Sequence, residues 1–195
     1  MKRLILGLLF ALAGLPLAAP AAEPAAHPQL RLTTSLGAIE LELYPDKAPL
    51  TVKNFLGYVD SGFYNGTIFH RVIPGFMIQS GGFRPGLDPK PAGAPIQNEA
   101  GNGLKNLAGT LAMARTSEPH SASAQFFINT VDNSALDHRD QSPRGWGYAV
   151  FGKVTKGMDV VKKIESVATG RVGSHQNVPQ RDVVIQKIEL LRAGG

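Results

Sequence analysis

Residues 69–81 read Phe-His-Arg-Val-Ile-Pro-Gly-Phe-Met-Ile-Gln-Ser-Gly and place one arginine and one glutamine among aromatic and thioether side chains. Arg71 and Gln79 can each donate hydrogen bonds, whereas Phe76 and Met77 present apolar surface. This mixture is typical of a ligand cleft that has apolar walls and a few oriented polar groups. The stretch therefore predicts part of a pocket for an uncharged substrate.

Two downstream segments repeat the mixture. Residues 113–115 read Met-Ala-Arg, and residues 124–129 read Ala-Gln-Phe-Phe-Ile-Asn. A cleft can be lined from distant parts of a chain, so these segments are expected to meet the first one. The residues that they would add to the pocket are Ala114, Arg115, Gln125 and Phe127, with Leu136 at the rim. Because neighbouring strand residues alternate faces, Phe69, Phe126 and Ile128 are expected to lie in the core.

Alternating apolar and polar residues predict short strands on both sides of these motifs. The predicted strands are residues 30–34, 38–43, 68–73, 76–79, 110–114, 124–129, 149–154 and 183–191. Apolar residues at helical spacing predict two helices, at residues 49–61 and 158–167. The fold class is therefore mostly β. The expected architecture is a closed eight-stranded antiparallel barrel capped by the two α-helices, which leaves few free sheet edges.

The N-terminus has the order of a secretory signal peptide. Lys2 and Arg3 precede an apolar run over residues 4–17, and small residues follow at 18–22. The apolar run is shorter than the roughly 20 residues of a membrane-spanning helix. Cleavage is expected after Ala21, with Ala22 as the neighbouring alternative, which leaves residues 22–29 as a disordered leader and residues 30–192 as one domain. A retained signal anchor is the alternative.

Composition excludes several classes of function. Removal of residues 1–21 lowers the formal net charge from +5 to +3, and basic residues alternate with acidic ones, so no nucleic-acid partner is expected. The chain has no cysteine, which excludes a disulfide scaffold, a thiol nucleophile and a thiolate metal site. The five histidines lack carboxylates at metal-ligand spacing, so no metal site is expected either.

The motif FHRVIPGFMIQ at residues 69–79, with AQFFIN at residues 124–129, resembles the cyclophilin-type peptidyl-prolyl cis/trans isomerases. The resemblance extends from about Leu30 to Leu191 and implies the same barrel fold, no cofactor, and proline-containing unfolded or partly folded polypeptides as substrates. It gives Arg71 the central electrostatic role and Gln79 a polar contact that supports it. The implied pocket residues are Phe76, Met77, Phe127 and Leu136. Ala114 and Arg115 match the strand that meets the substrate residue before proline, through backbone groups.

The chemistry of the reaction explains why an arginine suits this site. Rotation about an X-Pro bond is slow because amide resonance gives a barrier of about 18–20 kcal/mol. In the twisted amide the prolyl nitrogen regains a lone pair, so a donor aimed at that nitrogen stabilises only the transition state. Arg71 stays charged and presents fixed N–H groups. With the roles that the resemblance implies, the candidate catalytic residues are Arg71, Phe76 and Gln79. Gln79 and Gln125 can each donate and accept hydrogen bonds, so both are expected to hold the peptide backbone beside the proline.

A binding module for proline peptides is the competing class of function, and it would have no need of a donor at the prolyl nitrogen. Bacterial exported members resemble this chain more closely than others do. The expected protein is accordingly a monomeric periplasmic isomerase that assists the folding of exported proteins and does not associate with the membrane after signal cleavage.

Two positions depart from many family members. Ala135 stands where they carry a tryptophan before the rim leucine, and Tyr148 stands where they carry a histidine. Trp146, in the loop over residues 137–147, either partly replaces the missing indole or anchors the loop. Cyclosporin, the fungal cyclic peptide that inhibits this family, contacts the tryptophan, so the resemblance implies that this chain binds it weakly.

Overall fold

The computed structural model describes residues 27–191. The expected signal peptide and residues 22–26 of the expected leader lie outside them. The elements in chain order are β1 (Gln29–Thr34), β2 (Gly37–Leu43), α1 (Pro49–Asp60), β3 (Arg71–Ile73), β4 (Met77–Ser80), β5 (Phe83–Arg84), β6 (Asp88–Pro89), β7 (Thr110–Met113), β8 (Phe126–Asn129), β9 (Val150–Lys156), α2 (Met158–Glu165), β10 (Thr169–Val172), β11 (His175–Pro179) and β12 (Ile185–Leu190). Among these described residues no helix is long and apolar enough to cross a membrane.

The structure confirms the mostly β fold. Residues 27–191 form a main sheet of eight antiparallel strands and the two predicted helices, α1 and α2. Its strand order is β12-β1-β2-β9-β7-β8-β4-β3, and its members are the eight strands that the sequence predicts. The first strand begins at Gln29, inside the expected leader, and the His27 ring lies 3.0 Å from carboxylate oxygens of both Glu42 and Asp46.

The prediction of a closed barrel is too strong, because the sheet is curled but open between β3 and β12. The two edges meet through one isolated bridge, Ile68 to Val184, and through a few backbone hydrogen bonds such as Phe69 N–H to Val183 O at 2.9 Å. The segment that faces β12 lies upstream of β3. Its Thr67 N–H donates to Tyr64 O within the same segment instead of to β12. The Ile68 N–H likewise donates to Phe83 O at 2.9 Å, so neither of these groups extends a ladder along β12.

The core lies inside the curl and follows the predicted periodicities. Ile39, Leu41 and Leu43 of β2 are fully buried, whereas the intervening glutamates are partly exposed. Phe55 of α1 and Ile164 of α2 lie in the same cluster. A second, smaller apolar cluster lies on the other face of the sheet and consists of Met77, Ala112, Phe127 and Val150. Strand alternation produces the two faces, because Phe126 and Ile128 point inward while Phe127 points outward.

Two small hairpins, β5–β6 and β10–β11, were not predicted. The β10–β11 hairpin contains Gly170 and Gly173 and has mostly exposed side chains, so it lacks the apolar alternation by which a strand is recognised. It packs beside β3 at the edge of the main sheet. That position brings it close to Arg71.

Candidate active site

A cavity of about 240 Å³ lies on the outer face of the sheet, against the second apolar cluster. Its lining residues are Arg71, Phe76, Met77, Gln79, Ala114, Arg115, Phe127, Leu136 and Tyr148. Eight of the nine predicted site residues therefore meet in one cavity. The ninth, Gln125, lines an adjoining cavity and contacts the first through Gln79.

Strand register explains why these residues meet. Arg71 lies opposite Gln79 in the β3–β4 pair, Gln79 lies opposite Phe127 in the β4–β8 pair, and Phe127 lies opposite Ala112 in the β8–β7 pair. Directly opposed side chains on one face of a sheet are neighbours. The donor, the amide and the apolar ring thus form a row across the sheet, and Met77 joins them because it lies two residues before Gln79.

The apolar walls come from three further segments. Phe76 follows Gly75, whose φ of 71° gives the turn between β3 and β4 a left-handed residue. Leu136 ends a short 3-10 turn over Ser134–Leu136. Tyr148 lies 5.7 Å from Phe127 between ring centroids, nearly edge to face. Tyr148 is the lining residue that the sequence reasoning left out of the site, although its place before β9 had marked it as a departure from the family.

Arg71 has few partners of its own in the part of the chain that the structure describes. Its Nη1 donates one long hydrogen bond of 3.4 Å to Gln79 Oε1, and Gln79 Nε2 donates to Gln125 Oε1 at 2.8 Å. Within residues 27–191 no carboxylate forms a salt bridge with Arg71. Because a guanidinium carries five N–H donors, most of them remain available to a ligand.

Arg115 differs from Arg71 because its guanidinium is already occupied. It donates from Nε to Gly147 O at 2.9 Å and from Nη2 to Pro143 O at 3.2 Å, and it lies over the Tyr148 ring at 4.7 Å from the centroid. These contacts tie it to the loop over residues 137–147. Arg115 therefore supports the rim, and its side chain is a poorer candidate for the transition-state donor than that of Arg71.

Trp146 anchors that loop and does not replace the missing indole. Its ring lies edge-on to His120, with centroids 4.6 Å apart, and its Nε1 donates to Asn98 O at 3.4 Å. It does not line the cavity. Ala135 is exposed at the rim, beside Leu136.

A third cavity, of about 430 Å³, adjoins Arg71 on the side of the β10–β11 hairpin. Its residues are His70, Arg71, Gln79, Phe83, Gln125, Ser174, His175, Gln176 and Asn177. His70 is 4% exposed and packs against Phe83 in a tilted arrangement, with ring centroids 4.7 Å apart. Burial lowers the pKa of His70 from 6.5 to about 4, so the ring is neutral near neutral pH. Across residues 27–191 no group of three His, Cys, Asp or Glu side chains could hold a metal ion.

The sequence matches the family described as "Cyclophilin type peptidyl-prolyl cis-trans isomerase/CLD" over residues 29–190. The chain belongs to this family. It is therefore an isomerase, and the resemblance drawn from residues 69–79 and 124–129 is confirmed. Members of the family bind proline-containing peptides.

Relatives and solved structures agree with that assignment. The chain is 62% identical over 157 residues to peptidyl-prolyl cis-trans isomerase B of Escherichia coli, a match that covers 80% of this chain and 96% of the relative. It is 53% identical over 192 residues to peptidyl-prolyl cis-trans isomerase A of Dickeya dadantii, covering 98% of this chain and all of the relative. A cyclophilin-type isomerase of Cryptosporidium parvum superposes with a TM-score of 0.73 at 27% identity, covering 86% of this chain and 99% of that one. A second crystal structure of that protein, obtained in the presence of the dipeptide Ala-Pro, gives a TM-score of 0.71 at 28% identity, with coverage of 84% and 98%.

Proposed function

We propose that the 240 Å³ cavity is the catalytic site for rotation about X-Pro bonds and that Arg71 is its transition-state donor. One observation carries the proposal: within residues 27–191 the Arg71 guanidinium forms no ion pair, and it lies in a cavity whose walls include aromatic rings. A cation that served only stability would be expected to have a carboxylate partner or to extend into water. Arg71 instead shares the cavity with Phe76 and Phe127.

The prolyl ring binds among the apolar walls. Phe127 and Met77 are 4% and 2% exposed, so the floor is already desolvated, while Phe76 and Leu136 form the more open sides. Twisting the amide localises a lone pair on the prolyl nitrogen, and an N–H of Arg71 donates to it. The planar forms lack that lone pair, so the hydrogen bond lowers the barrier without tightening the ground state. No proton is transferred and no cofactor takes part.

The two glutamines hold the donor and the peptide. Gln79 accepts from Arg71 and donates to Gln125, so the guanidinium is oriented by a chain of side-chain hydrogen bonds. Gln125 also faces the cavity formed with Ala114 and Arg115, along which the residues before proline extend. Ala114 N–H already donates to Gln125 O at 3.0 Å, which leaves its carbonyl as the group offered to the substrate.

The cellular role that we propose is assistance to the folding of exported proteins in the periplasm. The order of charge, apolar run and small residues over residues 1–22 supports export through a cleavable signal peptide. Substrates are proline-containing unfolded or partly folded polypeptides. The protein acts as a monomer, binds neither nucleic acid nor, after cleavage, the membrane, and binds cyclosporin weakly.

Two measurements test this function. Isomerisation of a short Ala-Pro peptide is followed with and without the purified domain, and a rate constant that rises in proportion to protein concentration is expected. No acceleration would refute the catalytic site. Cell fractionation with N-terminal sequencing tests export, with a periplasmic product starting at Ala22 as the expected result. A full-length cytoplasmic product would refute the localisation while leaving the catalysis untouched.

A further inference from the structure

Three asparagines lie buried behind the cavity. Asn106, Asn129 and Asn133 are 1%, 0% and 9% exposed and come from the loop before β7, the end of β8 and the residue before the 3-10 turn. They belong to neither apolar cluster. Burying an amide is costly unless its polar atoms are hydrogen-bonded. Their partners therefore indicate what these side chains are for.

Asn133 holds the segment that carries the Phe76 ring. Its Nδ2 donates to Phe76 O at 2.8 Å and to Asn129 Oδ1 at 2.7 Å. The Thr130 N–H donates to the same Phe76 carbonyl at 3.0 Å. Two donors on one carbonyl restrict the backbone from which the Phe76 side chain projects.

Asn129 extends the connection under the floor of the cavity. Its Oδ1 accepts from Asn133, and its Nδ2 donates to Thr110 Oγ1 at 2.9 Å and to Asn106 Oδ1 at 3.2 Å. Every polar atom of this fully buried side chain thus has a partner. In the β4–β8 pair Asn129 lies opposite Met77, a residue of the floor.

Asn106 reaches the rim on the other side. Its backbone N–H and its Nδ2 donate to Asp137 Oδ1 at 2.8 and 3.2 Å. Asp137 directly follows Leu136, whose carbonyl accepts from the Tyr148 N–H at 2.9 Å. Hydrogen bonds from Phe76 to Asp137, the peptide link from Asp137 to Leu136 and the Tyr148 N–H bond thus connect Phe76 with Leu136 and Tyr148, three lining residues of the cavity.

Helix α2 holds the Phe76 turn from a second direction. Glu165 Oε1 accepts from the Gly75 N–H at 2.8 Å, and Glu165 Oε2 accepts from Lys162 Nζ at 2.8 Å. Lys162 also donates to Thr130 O at 2.9 Å. The turn is thus fixed on both sides, by the helix and by Asn133.

We propose that Asn129 and Asn133 are positioning residues for isomerisation, which set the spacing between Phe76 and the Leu136–Tyr148 side of the cavity. The inference rests on the proposed function, because that spacing matters only if the prolyl ring binds there beside Arg71. Catalysis is sensitive to such placement, since a displacement of about 1 Å can cost about 100-fold in rate. The asparagines touch neither the substrate nor the reacting bond. Asn133 acts through Phe76, to whose carbonyl it donates, and Asn129 acts through Asn133.

A double-mutant cycle tests the proposal. Asn133→Ala should lower kcat/KM by about tenfold, mostly through kcat, because the wall that orients the ring is released. In a Phe76→Ala background the same substitution should cost less than about twofold, since the group through which it acts is gone. Thr67→Val is the matched control: Thr67 is also fully buried and donates to Tyr64 O at 2.6 Å, but it lies away from the cavity. It should lower the melting temperature and leave kcat/KM within about twofold.

Either of two results would overturn the proposal: a folded Asn133→Ala protein with kcat/KM within twofold of wild type, or an undiminished loss in the Phe76→Ala background. If Asn133→Ala does not fold, Asn133→Ser keeps one hydroxyl donor and is measured in the same cycle, with a smaller loss expected. The wild-type assay separates the two hypotheses. An inactive wild type refutes the proposed function, whereas an active wild type with unaffected asparagine variants refutes only the positioning role.

Discussion

Gln79 Nε2 donates a 2.8 Å hydrogen bond to Gln125 Oε1, and this bond decides which end of the Gln79 amide faces Arg71. Because Gln79 Nε2 donates to Gln125, the other end of the amide, Gln79 Oε1, lies 3.4 Å from Arg71 Nη1. The guanidinium therefore meets a neutral acceptor, which orients it without neutralising its charge. A carboxylate at the same place would do both.

Replacing that neutral acceptor by a charged one should impair turnover. In Gln79→Glu the carboxylate would pair with Arg71 and could no longer donate to Gln125, so kcat/KM should fall by about tenfold or more. Peptide isomerisation measures the loss, and Gln97→Glu, an exposed position away from the cavity, is the control of equal charge. Equal kcat/KM in the Gln79→Glu protein and the control would show that the acceptor's charge is irrelevant.

Removing the donor itself should have a larger effect. Arg71→Ala should lower the catalysed rate constant by about 100-fold or more, the scale for loss of one preorganised transition-state donor, while peptide affinity falls much less. Arg84→Ala, which breaks an exposed pair with Asp88 at 2.9 Å, controls for loss of an arginine elsewhere. Unchanged turnover in Arg71→Ala would remove Arg71 from the mechanism.

Cyclosporin should bind this protein weakly because the rim lacks an indole. Loss of an aromatic interface contact costs about 1–3 kcal/mol, so Ala135→Trp should improve affinity by about tenfold. Calorimetric titration of both proteins measures the difference. Trp146→Phe should leave the affinity unchanged, since Trp146 packs on His120 outside the cavity. Equal affinity of wild type and Ala135→Trp would contradict this account.

Turnover should be nearly independent of pH. The rotation needs no proton from the enzyme, and burial lowers the pKa of His70, the histidine beside Arg71, to about 4. Between about pH 6 and 8.5 the catalysed rate constant should change by less than about twofold, unlike the bell-shaped profile of an acid–base pair. An inflection near pH 6.5 that disappears in His70→Gln would show that this histidine takes part.

Stability, unlike turnover, should depend on His70. Its pKa is about 4 in the folded protein and 6.5 when unfolded, so the unfolded state binds the proton more tightly. The free energy of unfolding should therefore fall as pH drops from about 6.5 to 4, by up to about 3 kcal/mol, and this contribution is intact above pH 6.5. Urea unfolding of wild type and His70→Gln at several pH values measures it. Carboxylates with a lowered pKa, such as Glu165, also make stability depend on pH, but they do so equally in wild type and His70→Gln. Identical slopes of unfolding free energy against pH in the two proteins would therefore contradict the assignment to His70.

Local sequence signals predicted the strands, the helices and most of the cavity. Leu41 and Val52 belong to regular periodicities, and each motif fixes which of its residues share a face, as with Phe127 between Phe126 and Ile128. The features that the sequence did not predict depend on contacts between distant segments. Asn129 is a single polar residue at the end of a strand, and only its partners Asn133 and Asn106 give it a role. The β10–β11 hairpin lacked apolar alternation, and the open edge of the sheet depends on how the segment before β3 meets β12.

Strand β1 lies between β2 and β12, so that Leu30 is opposite Leu41 on one side and Leu190 on the other. The first of the strands described in residues 27–191 thus requires the last of them as its neighbour. At about 5–20 residues per second, a ribosome takes on the order of 10 s or more to complete the chain, and throughout that time the sheet lacks one of its members. Pairing between such distant segments also forms slowly. The order of the strands itself therefore delays completion of the main sheet until β12 has been synthesised.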